Sequence, residues 1–210
     1  MARYTGPVDR LCRREGKDLQ LKGERYYKGK TPWTKRPVPP GMHIQQRIKL
    51  TPYAIQLREK QSLKRIYGVF ERQFILYFKK ADRMRGITGE IMLQLLERRL
   101  DNVVYRAGFA STRAQARQLV NHGHVRVNGR KVDIASFQVR PNDEITLNDK
   151  LGTGKTVSEA LVLTEKQGRR KGWIEFSAEP LAAVFRKIPG RQEINDIEIK
   201  EQLIVELYSR

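Results

Sequence analysis

The stretch from Leu96 to Leu147 leaves the fewest folds open to this chain of 210 residues. Leu93, Leu96, Leu100, Val103, Val104 and Ala107 recur at spacings of three and four, which predicts one buried helix face, and Gly108 follows where a left-handed cap belongs. Thr112 with Gln115 three residues on is a capping-box signature. It predicts a second helix with Ala116, Leu119 and Val120 as its apolar stripe and Gly123 as its stop. Val125 and Val127 then alternate with polar residues, and Asn128-Gly129 supplies a two-residue primed turn. Val132, Ile134, Phe137 and Val139 lead through Pro141-Asn142-Asp143 to a short strand, Glu144 to Leu147. The predicted unit is helix, helix, hairpin, strand.

Arg106, Arg113, Arg117, Gln118, Asn121 and His124 fall on the face these helices are expected to leave outside. Arg113 and Arg117 are four apart, on one side of the second helix, close to the positive end of its macrodipole and to the hydroxyls of Ser111 and Thr112. An anion site is expected there. Two arginines on a short helix are also what an ordinary solvated face looks like, so the rest of the chain has to decide. It holds 42 Lys and Arg against 23 Asp and Glu, a formal net charge of +19, which points to a polyanion, nucleic acid first. A membrane surface is the competing partner. It is disfavoured because no apolar run approaches the roughly 20 residues that span a bilayer and no basic amphipathic segment carries a strong apolar face. The basic footprint is N-terminal: residues 1–50 carry 13 basic and 4 acidic side chains, residues 151–210 carry 10 and 9.

Residues 1–50 scatter those cations among too few apolar residues to close a core, so this arm is expected to need a partner to be ordered. Tyr4, Tyr26, Tyr27 and Trp33 interleave with them and suit either base stacking or local packing. Cys12 is the sole cysteine, which excludes an intramolecular disulfide, and no signal-peptide pattern opens the chain, so a reducing compartment is expected. Pro37-Val38-Pro39-Pro40-Gly41 reads as a stiff connector. Thr51 with Pro52 then opens a helix whose stripe is Tyr53, Leu57, Leu63, Ile66 and Tyr67 and whose other side, with Arg58, Lys60, Lys64 and Arg65, is expected to be exposed and basic. Phe70, Phe74, Ile75, Phe78 and Ala81 pattern a further helix, its aromatics read as core, and Thr88 caps the helix into the central unit. Residues 150–172 are polar with at most a helical stretch, Trp173 to Phe176 is strand-like, and Leu203, Ile204, Leu207 and Tyr208 give a final helix an apolar face.

Arg99 to Arg106, Ser111 to Val120 and His124 to Gly129 resemble the RNA-binding module of the small-subunit ribosomal protein four family, here S-four. The likeness extends to Met1-Ala2-Arg3-Tyr4, Arg13-Arg14-Glu15-Gly16, Leu57-Arg58-Glu59-Lys60-Gln61, Arg65-Ile66-Tyr67-Gly68, Glu71-Arg72-Gln73-Phe74 and residues 201–210, end to end. The resemblance implies an α+β fold: a basic arm (1–43), a discontinuous helical domain (44–88 with 178–210) and the inserted module (89–177), two helices with a small, mainly antiparallel sheet. It implies binding to a five-way junction of the 16S rRNA 5′ domain early in assembly, contact with small-subunit ribosomal protein five, a place beside the channel through which mRNA enters, and influence on translational accuracy.

Charge and resemblance together nominate Arg3, Arg13, Arg14, Lys22, Arg36, Arg58, Lys60, Lys64, Arg65, Arg72, Arg106, Ser111, Thr112, Arg113, Arg117, Gln118 and His124 as rRNA contacts, and Arg47 and Lys49 as mRNA contacts. Members often have a further basic residue where Gln46 stands. Many also hold the arm with a four-cysteine zinc site, but the matching positions here are Asp9, Cys12, Tyr26 and Thr31, so no metal or other cofactor is expected. The expected location is the ribosome, in the cytoplasm or, for an organelle-encoded chain, in the organelle.

Enzyme motifs do not emerge: there is no G-x-S-x-G, H-E-x-x-H, P-loop or dinucleotide fingerprint. Asp101 beside Arg98, Arg99 and Arg106 reads as a structural pair, and His122 and His124 as phosphate contacts or cap residues. The alternative is an RNA-modifying enzyme, a pseudouridine synthase or methyltransferase, that docks through the same module. It needs a separate catalytic domain of well over a hundred residues, which the pattern does not contain. A translational repressor on an mRNA leader would use the same surface.

Overall fold

The computed structural model describes residues 4–42, 50–148, 154–179, 181–195 and 198–209; Arg3, Gln46, Arg47 and Lys49 lie outside them. The chain is α+β and divides into two compact units, Met1–Met92 with Asp196–Arg210, and Leu93–Asn195.

In the first unit, α1 (Val8–Glu15), α2 (Glu24–Tyr27) and α3 (Pro32–Lys35) are short, and α4 (Pro52–Ile66) and α5 (Glu71–Asp82) carry the core. Thr51 caps α4 by accepting the Ala54 N–H at 3.2 Å, with Pro52 where a missing N–H costs nothing. Leu63, Ile66, Tyr67, Phe74, Phe78 and Ala81 are buried. Tyr53, expected in the same stripe, is instead 54% exposed, because the buried side of α4 runs through Gln56, Lys60 and Ser62. The C-terminal helix, Glu201–Tyr208, packs on α4: Gln56 donates to Glu206 at 2.9 Å, Ile204 is buried, and the Tyr208 ring lies 4.7 Å from that of Phe78 on α5.

The single helix expected over 93–107 is two, α6 (Thr88–Glu97) and α7 (Leu100–Ala107). Arg99 between them is extended (φ −65°, ψ 134°). The reason is competition for backbone hydrogen bonds. The Leu100 and Asp101 N–H groups donate to the carbonyls of Phe137 and Ala135, at 2.9 and 3.2 Å, and Val139 N–H returns to Arg98 O at 2.9 Å. A loop some 35 residues away thus satisfies the donors that a continuous helix would have used.

Helix α8 (Arg113–Asn121) follows, its Thr112 cap accepting Gln115 N–H at 3.2 Å. The sheet is antiparallel throughout, in the order β2 (Arg130–Lys131), β1 (Val125–Val127), β3 (Asp143–Leu147), β5 (Ala182–Phe185), β4 (Ile174–Ser177). Positive φ at Asn128 (50°) and Gly129 (77°) makes the hairpin turn. Residues 178–210 were expected in the helical part. Ala182–Phe185 instead pairs with both β3 and β4, because this short apolar run, buried at Ala182, Ala183 and Phe185, supplies the strand between them. α9 (Lys155–Lys166) buries Val157 and Ala160.

Candidate nucleic-acid interface

A cation recognises a phosphate only if its own protein has not already neutralised it, so each nominated arginine and lysine has to be followed to its partner. In the first unit the expected basic side of α4 is tied down. Arg58 and Arg65 reach Glu15, whose side chain is fully buried, the former at 3.3 Å. Lys60, only 8% exposed, and Lys64 reach Glu71 at 2.7 and 3.1 Å. The exposed basic face predicted from α4 is therefore a closed charge network. Its acids lie on α1 and α5, beyond the reach of a helical-wheel argument. Burial pushes the Glu15 carboxyl above the ordinary range against the pull of Arg65 and Arg58.

Glu71 goes the other way. Burial opposes its ionisation, but hydrogen bonds from Lys60, Tyr208 and Lys64 outweigh it and hold its pKa down to about 2. A carboxyl lowered in the folded state adds stability above its ordinary value near 4.5 and loses it as pH falls toward 2. Glu71 is 43% exposed, so solvent screening leaves about 1 kcal/mol of this. Denaturant melts should show wild type losing about that much more than Glu71→Gln between pH 6 and pH 3. Equal losses in the two proteins would remove Glu71 from the account.

In the second unit α7 is buried along its whole length. Arg106, expected outside, is 1% exposed and forks onto Glu97 at 2.8 and 3.1 Å; Asn102 donates to the same carboxylate at 2.7 Å. Asp101 is structural, as expected, and Arg99 is the expected partner at 2.8 and 3.0 Å, while Arg117, at 2.6 and 2.9 Å, stands where Arg98 and Arg106 were expected. Arg113 donates to Asn102 at 2.8 Å and stands 4.5 Å from the centre of the Tyr105 ring, with Arg169 4.8 Å from the same ring. Burial alone would raise the Tyr105 phenol, yet Arg113 and Arg169 more than cancel it and its pKa falls below the ordinary value.

The donors expected at the start of α8 are engaged as well. Thr112 caps the helix, and Ser111 gives both N–H and hydroxyl to Gln115 Oε1, at 2.8 and 2.7 Å. The capping box closes one residue earlier than its signature suggests. The outward anion site built from Arg113 and Arg117 is thereby corrected. Both are half-buried and turned onto α7, whose buried acid and amide are stronger attractors than water.

Other nominated residues keep their exposure. Arg14, Arg36, Arg72 and Gln118 are exposed and His124 is half-buried, its ring 6.0 Å from that of His122. Arg13 donates to the carbonyls of Val38 and Pro39 at 2.9 and 3.2 Å, and Lys22 pairs with Asp9 at 3.6 Å. Of the positions that match the zinc ligands, Asp9 is held by Lys22 and Thr31 shares a hydrogen bond with Thr34 at 3.0 Å. Burial pushes the Cys12 thiol up to about 11, which disfavours the thiolate a metal needs.

One exposed group of cations in the second unit is not among those that the sequence nominates. Arg126 and Lys131 sit directly opposite each other on β1 and β2, both exposed, with Arg130 beside them. The stem of Lys131 lies over Gly123, in the space a Cβ there would fill. None of the three forms an ion pair among the described residues, and the other cross-strand neighbour of Arg126 is Thr146. Like charges directly opposite destabilise a hairpin unless an anion joins them. The alternation Val125, Arg126, Val127 carried the signal, since two inward valines force the arginine out. Lys79, Lys80, Arg83 and Arg85 form a comparable exposed group around the end of α5.

Two family models match this sequence: Ribosomal protein S4/S9 N-terminal domain over residues 3–97, and S4 domain over residues 98–145. The small ribosomal subunit protein uS4A of Symbiobacterium thermophilum is 53% identical to it over 210 residues, the full length of both chains. The small ribosomal subunit proteins uS4 of a Thermoanaerobacter species and of Geobacter metallireducens are 52% identical over the same full span.

Proposed function

This chain belongs to the ribosomal protein S4 family, and from that membership we propose that it is a primary 16S rRNA-binding and assembly protein that clamps a helix junction of the 5′ domain. It is a structural, non-enzymatic constituent of the small ribosomal subunit, with an S4 RNA-binding domain. Contact with small-subunit ribosomal protein five, a share in the channel through which mRNA enters, carried by Arg47 and Lys49, and an influence on accuracy belong to the same reading.

The observation that carries the RNA surface is the hairpin of the second unit, where Arg126 and Lys131 face each other across the strands, neither in an ion pair among the described residues. Arg130, Gln118 and His124 extend that surface, and Arg14, Arg36 and Arg72 serve in the first unit. Arg3 joins them by resemblance. Arg13, Lys22, Arg58, Lys60, Lys64, Arg65, Arg106, Ser111, Thr112, Arg113 and Arg117 act chiefly by holding the units in shape, through the partners described above.

Filter binding to a transcribed 16S 5′-domain fragment tests this. Arg126→Ala with Lys131→Ala should weaken binding at least about tenfold, since each charge-assisted contact is worth about 1.5–3 kcal/mol before water and counterions recover a part. The thermal midpoint should hold or rise slightly, because a repulsive pair has gone. Wild-type affinity in the folded double variant would move the RNA surface elsewhere.

A further inference from the structure

One groove of the first unit lies beside the charge network of Glu15. It encloses about 580 Å³ between α1, the proline connector and the start of α4, within the range of roughly 300–1,000 Å³ typical of small-ligand pockets. Trp33, Leu50, Tyr53 and Leu57 form its apolar walls, and Arg14 and Arg58 stand at it. The walls are not consumed by packing: Tyr53 is 54% and Leu50 55% exposed. The groove is also held open in advance. Arg13 fixes the connector through Val38 O and Pro39 O, and Glu15 anchors Arg58 at 3.3 Å.

Flat aromatic walls beside guanidinium groups match one chemistry well, an aromatic base attached to a phosphate. A duplex offers its bases only edge-on, so the base has to be unstacked. We propose that this groove takes an unstacked nucleotide of the 16S rRNA, its base against Trp33 and Tyr53 and its phosphate at the exposed Arg14. This rests on the rRNA-binding function above and adds to it a pocket that reads a base rather than a backbone. Tyr53 is the test position because its exposure lets it change without opening the core.

The full-length protein is titrated with the 5′-domain rRNA fragment and with hexaadenylate while tryptophan emission is recorded. Trp33 and Trp173 are the two tryptophans, and Trp173 is 1% exposed, so quenching by a base reports on Trp33. Both RNAs should quench wild type and not Trp33→Phe. Tyr53→Ala, with an unchanged thermal midpoint, should bind hexaadenylate about tenfold more weakly, the order expected for losing one base–aromatic stack. An abasic hexamer with the same phosphates should not quench. The pocket is overturned if Tyr53→Ala binds hexaadenylate as wild type does, if the abasic hexamer quenches equally, or if a glutamate-rich peptide with one leucine displaces hexaadenylate, which would make this a protein-docking groove. Tight binding of the rRNA fragment without any Trp33 quenching removes the pocket and leaves the rRNA function standing. Failure to bind the fragment at all removes both.

Discussion

Raising the salt from 50 to 200 mM is expected to lower the affinity of this protein for the 16S 5′-domain fragment by roughly three to five decades, the loss that about 6 to 10 phosphate neutralisations produce on duplex DNA. Single-stranded parts of the RNA make the slope shallower. The formal charge of +19 alone does not set this number, because many of the cations never meet solvent freely. Glu15, Glu71, Glu97 and Asp101 between them hold Arg58, Arg65, Lys60, Lys64, Arg106, Arg99 and Arg117. Among the described residues, those that stay exposed include the hairpin group at Arg126, Arg130 and Lys131, the group around the end of α5, and Arg14, Arg36 and Arg72. Filter-binding titrations across the salt range give the slope directly, and an affinity that hardly moved would rule out phosphate neutralisation as its source.

Glu97→Ala is expected to be the most damaging single substitution in the second unit. Glu97 is fully buried and receives both the Arg106 fork and the Asn102 amide. Its removal leaves a guanidinium that is 1% exposed, pressed toward Trp173, without the carboxylate that compensates it. Breaking one side of a buried pair costs about 3–5 kcal/mol. For a unit of about 100 residues that lowers the thermal midpoint by more than about 10 °C. The contrast is with Arg126→Ala and Lys131→Ala, which should lose RNA and keep the midpoint. A circular-dichroism melt of Glu97→Ala within about 2 °C of wild type would show that the buried pair contributes no net stability, and the structural assignment of Arg106 would fall with it.

Local signals were legible in the sequence. Thr51-Pro52, Thr112 with Gln115, Gly108 and Asn128-Gly129 each act within a few residues, and each cap or turn forms where its chemistry calls for it. The break at Arg98–Arg99 was not legible, because the carbonyls that cause it belong to Ala135 and Phe137. Nor was the strand Ala182–Phe185, whose meaning comes from lying between β3 and β4.

The arginines show the same limit in the candidate site. A helical pattern assigns a charge to the outside unless a partner is in view, and the partners of Arg106 and Arg117 are acids on neighbouring elements. Arg126 is the converse case. Its outward direction follows from the period of two along β1, while its importance follows only from finding Lys131 opposite it and no ion pair to either among the described residues.

The most direct test of the central claim is co-sedimentation of the full-length protein with small ribosomal subunits, reconstituted from 16S rRNA and subunit proteins depleted of this one. The protein should band with the subunit, one copy each, and remain through a high-salt wash that strips loosely held basic proteins. Release in that wash, or equal recovery with an unrelated RNA of the same length, would contradict a structural place in the small subunit.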